Sequence, residues 1–183
     1  MRIALAASVA ALAAACTPPS GEPAQQPSSE TMRVDMSTAT ADGTGASVGV
    51  ITISQTTQGA TFALDLRGLP PGDHGFHVHE HGSCAPHSAN GQPTPAGAAG
   101  AHWDPDGTGV HLGPEEPGHL GDLPLLQITD AGRATQTLTA PRITDVARLR
   151  GRALMIHAGG DNYSDMPAPN GGGGDRIACG VIG

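Results

Sequence analysis

The stretch Ser47–Leu69, SVGVITISQTTQGATFALDLRGL, decides the fold class. Its two halves, Ser47–Gln55 and Thr61–Leu69, alternate apolar and polar residues with the period of a strand that has one buried and one wet face. Thr56-Thr57-Gln58-Gly59 lies between them and reads as the turn of a hairpin. Outward from this hairpin the alternation recurs. Phe76 and Val78 alternate with His77 and His79, so these histidines face away from the apolar side. Met32–Thr38, Leu123–Thr129, Arg133–Thr139, Arg152–His157 and Ile177–Ile182 supply further short strands, about eight in all. No convincing amphipathic helix accompanies them. The predicted class is therefore all-β, an antiparallel sandwich or flattened barrel, with two long loops at Gly82–Asp122 and Ala158–Asp175. Loops of that length in a compact domain are usually functional.

Each loop is bounded by metal-ligand residue types. His77, His79, His102, His111, His119, Asp122 and His157 make seven donors in a chain with nine histidines. Imidazole suits zinc and copper, and one tetrahedral site takes four protein ligands. Seven donors fill two four-coordinate sites when one histidine serves both, so the arithmetic points to a two-metal centre with a shared ring. Positions two apart on a strand share a face, so His77 and His79 reach one metal together. His81 shares that face as well, and spacing alone does not say which two of the three bind. Gly171–Gly174 is no phosphate loop, because no Lys-Ser/Thr follows it and no helix begins there. These glycines instead let the backbone pass close to the metal channel.

Met1–Ala15 carries one cation, Arg2, then an Ala-rich apolar run, then small residues, the layout of a secretory signal peptide. It ends before Cys16, an arrangement that resembles the lipoprotein processing site at which the cysteine is lipidated and becomes the new N-terminus. Residues 16–31 are rich in Pro, Ser, Gln and Glu and read as a disordered tether, which leaves 32–183 as one folded domain. The net charge is -8, and all nine basic residues are arginines. Such a chain disfavours nucleic acid and anionic lipid, and an anionic substrate needs a local attractive field. Setting Cys16 aside leaves Cys84 and Cys179 as the one pair available for a disulfide in an oxidising compartment.

Gly75-Phe76-His77-Val78-His79, Ala101-His102-Trp103-Asp104-Pro105, Gly118-His119-Leu120-Gly121-Asp122, Met155 to Tyr163 and Arg176 to Gly183 together resemble copper/zinc superoxide dismutase, most closely its bacterial periplasmic branch. The likeness runs from about residue 32 to the end and implies an eight-stranded Greek-key fold. It further implies copper on His77, His79, His102 and His157, zinc on His102, His111, His119 and Asp122, and His102 as the bridge. Asp161 then steadies one histidine of each metal, Arg176 receives the anion beside the copper, and Cys84 and Cys179 form the disulfide. The implied activity is dismutation of superoxide to O2 and hydrogen peroxide at the cell envelope, by a periplasmic, lipid-anchored chain that is monomeric or homodimeric. An exported copper/zinc buffer on the same fold explains the ligands but not Arg176. A zinc hydrolase needs a carboxylate base at an open zinc position, whereas Glu80 points away from His79. The absence of lysine leaves Arg176 to steer superoxide nearly alone, beside Asp175, which implies encounter below the diffusional ceiling of ~10⁹ M⁻¹s⁻¹. His74, His81 and His87 carry no assigned role.

Overall fold

The computed structural model of the protein describes residues 31–89 and 91–183. The expected leader over residues 1–15, Cys16 and the tether up to residue 30 lie outside the described residues. The hairpin forms as the alternation predicts, from β2 (Gly43–Thr56) and β3 (Gly59–Arg67). Thr56 closes the turn: its hydroxyl donates to the Gly59 carbonyl at 2.8 Å and accepts from the Gln58 N–H at 3.1 Å. β1 (Thr31–Thr40) extends the meander on the other side of β2, with bulges around Ser37. Opposite these bulges Gly49 holds φ 128°, where a Cβ would collide with the Asp65 carbonyl oxygen.

The chain then leaves the meander. β4 (Gly72–His74) leads into β5 (Phe76–His79), which takes the far edge of the sheet beside β11 (Ala153–His157). β12 (Arg176–Val181) lies between β11 and β1, and β10 (Thr137–Ala140) returns to pair with β3. With β9 (Arg133–Ala134) also on β3, the result is an eight-stranded antiparallel sheet of order β10-β3-β2-β1-β12-β11-β5, curved into a half-barrel. The crossover from β3 to a strand that is not its neighbour gives the Greek-key connection. Among the described residues there is no α-helix, only three short 3₁₀ turns, and no helix long and apolar enough to cross a membrane.

The core fills the concave side of the sheet. Ile51, Ile53, Phe62, Leu66, Phe76, Val78, Leu154 and Ile156 are all fully buried there. Phe62 and Phe76 meet edge to face, with ring centroids 5.7 Å apart, joining the meander to the strand that carries His77 and His79.

Three expectations change in detail. Arg133–Thr139 is two strands in one continuous register against β3, interrupted at Thr135–Gln136, where the Gln136 carbonyl still accepts from the Leu64 N–H at 3.0 Å. Leu123–Thr129 shortens to β8 (Leu126–Ile128), which pairs with β4; Pro124 brings no N–H, and the Leu123 N–H is taken by the Phe76 carbonyl at 3.2 Å. The loop from Gly82 to Asp122 contains structure of its own, a hairpin of β6 (His87–Ala89) and β7 (Gln92–Thr94) followed by a 3₁₀ turn at Gly97–Ala99.

Candidate metal centre

The alternation along β5 places Phe76 and Val78 in the core and His77 and His79 on the opposite face. That face is covered too, so all four residues of β5 are buried. The cover comes from the two long loops. The Val78 N–H donates to the Gly121 carbonyl, the Trp103 N–H to the Val78 carbonyl and the Gly121 N–H to the Trp103 carbonyl, each at 2.8 Å. These bonds set His102 against His79 and Asp122 against His77 as isolated antiparallel pairs. β11 delivers His157 at its end, where the register with β12 slips between Ile156 and His157.

The imidazoles converge around His102. Its ring centroid lies 3.9 Å from that of His77, 5.0 Å from His79 and 6.0 Å from His157. On its other side it lies 5.4 Å from His111 and 5.6 Å from His119. Two clusters of donor atoms, each within 4.8 Å of one another, follow: His77, His79, His102 and His157, and His77, His102, His111 and Asp122. His119 stands just outside the second cluster, with Nδ1 3.5 Å from Asp122 Oδ1. His77 thus touches both groups in space, a proximity that spacing alone did not show.

Hydrogen bonds at one nitrogen of four rings leave the other turned inward. His79 Nδ1 donates to the Gly100 carbonyl at 2.9 Å and His157 Nδ1 to the Gly174 carbonyl at 3.1 Å, which frees both Nε2 atoms; these lie 3.4 Å apart. His77 and His111 use Nε2 to reach the two oxygens of Asp161, each at 2.7 Å. Their Nδ1 atoms, with His119 Nδ1 and Asp122 Oδ2, are buried and have no hydrogen-bond partner. His111 Nδ1 and His102 Nδ1 both approach Asp122 Oδ1 to 2.9 Å. Buried polar atoms without partners are costly, and their convergence on common points is the arrangement of ligands around ions. The donor set fits copper and zinc. A glycine is required beside it: at Gly171, φ 72°, a Cβ would strike the Asp161 carboxylate.

Burial sets the protonation of the rings. It depresses His77 to about 3 and His157 to about 4, against their hydrogen bonds to the Asp161 carboxylate and the Gly174 carbonyl, which pull the other way. Burial also holds His79 and His102 below the usual imidazole range. For His111 burial is outweighed by the Asp122 carboxylate 2.9 Å from Nδ1 and by the hydrogen bond of Nε2 to Asp161, and its value rises to about 9. Burial works against ionising Asp122 and Asp161, yet hydrogen bonds from His102, His111 and His77 hold both well below the usual carboxylate range. The depressed histidines bind more protons unfolded than folded, so their contribution falls as pH drops below 6.5; the raised His111 contributes fully below 6.5 and loses that contribution as pH climbs toward 9. The metal-stripped protein with its disulfide intact is expected to melt highest near pH 6.5. Calorimetry across pH 4–9 checks this, and a melting temperature that rises steadily through the whole range would contradict it.

A cavity of about 270 Å³ opens onto the first cluster, lined by His79, His102, His157, Pro169, Asn170 and Arg176. Arg176 is the cation in its wall. Its two terminal nitrogens donate to the carbonyls of Ala96 at 2.7 Å and Gly100 at 2.6 Å, which fixes the guanidinium at the cavity. Cys84 and Cys179 form the expected disulfide, with Cα atoms 5.7 Å apart. Of the three histidines on that face, His81 stands apart from the clusters, beyond the end of β5, with its side chain 67% exposed beside Glu80. His87 is likewise exposed.

Two residues that pattern did not mark also support the site. Buried His74 places Nδ1 2.7 Å from the His157 carbonyl and Nε2 2.9 Å from the Pro70 carbonyl, tying the end of β11 to the turn before β4. Arg142 forks onto the carbonyls of Gly118 and His119 at 2.9 and 3.2 Å, holding the backbone that presents His119. Neither has a periodicity or motif that would reveal it, because each acts on carbonyls distant in sequence.

Residues 47–182 match the family model of copper/zinc superoxide dismutase. The chain is 51% identical over 150 residues to superoxide dismutase [Cu-Zn] of Escherichia coli K12, covering 82% of this chain and 87% of that one. Among solved structures it is similar to the Cu/Zn superoxide dismutase from Brucella abortus, with TM-score 0.83 and 49% identity over 84% of this chain and all of that one. It is also similar to the monomeric copper, zinc superoxide dismutase from Salmonella enterica in solution, with TM-score 0.76 and 51% identity over 84% of this chain and all of that one. Strand order, clustered histidines and sequence agree: the chain belongs to the copper/zinc superoxide dismutase family.

Proposed function

We propose that the dismutation of superoxide to O2 and hydrogen peroxide, the activity of this family of enzymes, is carried in this chain by two linked metal sites with defined ligands. His77, His79, His102 and His157 would hold copper, the first through Nδ1 and the others through Nε2. His102, His111, His119 and Asp122 would hold zinc, the histidines through Nδ1. The observation that carries this reading is the set of buried, unpartnered atoms His77 Nδ1, His111 Nδ1, His119 Nδ1 and Asp122 Oδ2, arranged on both sides of the His102 ring. When bound, copper supplies one-electron redox chemistry, and zinc, which has no accessible second oxidation state, supplies fixed charge and geometry.

The chain does the rest. Arg176 draws the superoxide anion into the cavity with a charge that does not titrate away at physiological pH. Its fork onto Ala96 and Gly100 holds that charge in place. His102 would carry a proton at Nε2 in one half of the cycle and none in the other, while its Nδ1, 2.9 Å from Asp122 Oδ1, faces the zinc side. Asp161 aligns His77 and His111 together, so neither ring turns without disturbing the other. All the proposed ligands come from one chain, so a monomer suffices.

The site is tested by metal analysis and by Arg176→Ala. One copper and one zinc per chain are expected in both proteins. The variant is expected to react about 10- to 100-fold more slowly in pulse radiolysis and to lose its salt dependence. A fully loaded wild type no faster than free buffer would make the chain a metal store instead. We place this enzyme in the cell envelope, exported by its leader and lipid-anchored at Cys16. The Cys84–Cys179 disulfide supports an oxidising compartment.

A further inference from the structure

We propose that Asp165 is a positioning residue that ties the backbone of His111 to the cavity wall opposite the metal-facing histidines. The proposal rests on the assignment of His111 to the zinc site. Asp165 Oδ2 accepts from the His111 N–H at 2.9 Å, and Oδ1 accepts from the Asn170 N–H at 3.0 Å. One carboxylate therefore joins a ligand on the first long loop to a residue of the second loop that lines the cavity with Pro169 and Arg176. Both carboxylate oxygens act as acceptors, each for one backbone N–H, so the two bonds share one side chain.

The segment between is closed on itself. The Gly171 N–H donates to the Ser164 carbonyl at 3.0 Å and the Asn162 N–H to the Gly171 carbonyl at 3.1 Å. Tyr163 and Asn170 both have positive φ, 54° and 53°, which asparagine adopts more readily than tyrosine. Asp165 meets the Asn170 N–H at this turn. Its work differs from that of Asp161, whose Oδ1 grips the His111 ring at Nε2. Asp161 fixes the tilt of the ring; Asp165 fixes the path of the chain that carries it. Whatever immobilises His111 then steadies Asn170 and the cavity wall through a link of two hydrogen bonds.

The test compares backbone hydrogen exchange in metal-stripped protein and in protein given zinc alone. The variants are Asp165→Ala and Asp165→Asn, the latter keeping the size and one acceptor oxygen. The amides read are those of Gly171 and Asn162, whose own acceptors are not Asp165. In wild type, zinc is expected to slow their exchange about tenfold or more, the value of a charged hydrogen bond, and in Asp165→Ala by less than about twofold, with Asp165→Asn between. Zinc uptake stays at one per chain, and amides of β2 exchange alike in all three proteins. Full zinc-dependent protection in Asp165→Ala, with zinc bound, overturns the link and leaves the site intact. A wild-type chain that takes up no zinc overturns the zinc assignment itself.

Discussion

His102→Ala is expected to slow superoxide dismutation by more than about 100-fold while the protein stays folded and each site keeps part of its metal affinity. The figure follows from what the residue does. Even partners that only orient a ligand cost 10- to 100-fold when lost, by the usual order of magnitude, and His102 is proposed as a ligand of both metals. Its ring stacks on His77 at 3.9 Å and is anchored to Asp122 through Nδ1 at 2.9 Å. Removing it leaves three donors on the copper side (His77, His79, His157) and three on the zinc side (His111, His119, Asp122), so metals still bind but no ring bridges the sites or carries the proton at Nε2. Pulse radiolysis on protein of measured metal content gives the rate. A variant that keeps half of the wild-type rate with both metals present would defeat the bridging assignment.

Conversion of both Cys84 and Cys179 to serine is expected to have the largest effect on stability. The bridge closes a loop of 95 residues, which in the chain-entropy account is worth about 4–5 kcal/mol. For a domain of this size that corresponds to a fall in melting temperature of roughly 10–20 °C. The loss also reaches the site. Cys84 and Cys179 pack with Ala96, Ala99 and Met155 in a small buried cluster of their own. Ala96 and Gly100 carry the carbonyls that hold Arg176, so loosening this cluster frees the guanidinium. The double variant is therefore expected to lose rate as well as stability when assayed fully metal-loaded at low temperature. Calorimetry and radiolysis check the two effects, and an unchanged melting temperature would show that the bridge constrains nothing.

The sequence reveals what repeats and what is chemically rare. Alternation marks β1, β2, β3 and β5 to within a few residues, because one face of each strand must be apolar where the sheet meets the core, whereas β11 and β12 show as short, mainly apolar runs. The histidines stand out because few other surroundings call for so many. What stays hidden is the work of loops on backbone groups. β4 and β8 are three residues each, too short for a period to show. The β6–β7 hairpin sits in a polar stretch without apolar alternation. His74 and Arg142 look like any lone polar residue until distant carbonyls are brought to them. Asp161 and Asp165, four residues apart, are indistinguishable by type. Only the fold places one between two imidazole rings and the other on the backbone of His111.

β5 ends the sheet. A terminal strand ordinarily offers its outer amides and carbonyls to any other polypeptide of matching register, which is how soluble proteins begin to polymerise. Here the outer row is taken by the chain itself: Phe76 by Leu123, and Val78 by Trp103 and Gly121. Those same short segments deliver His102 and Asp122. Presenting the metal-ligand side chains and keeping neighbouring molecules from zipping onto this margin thus fall to the same few residues.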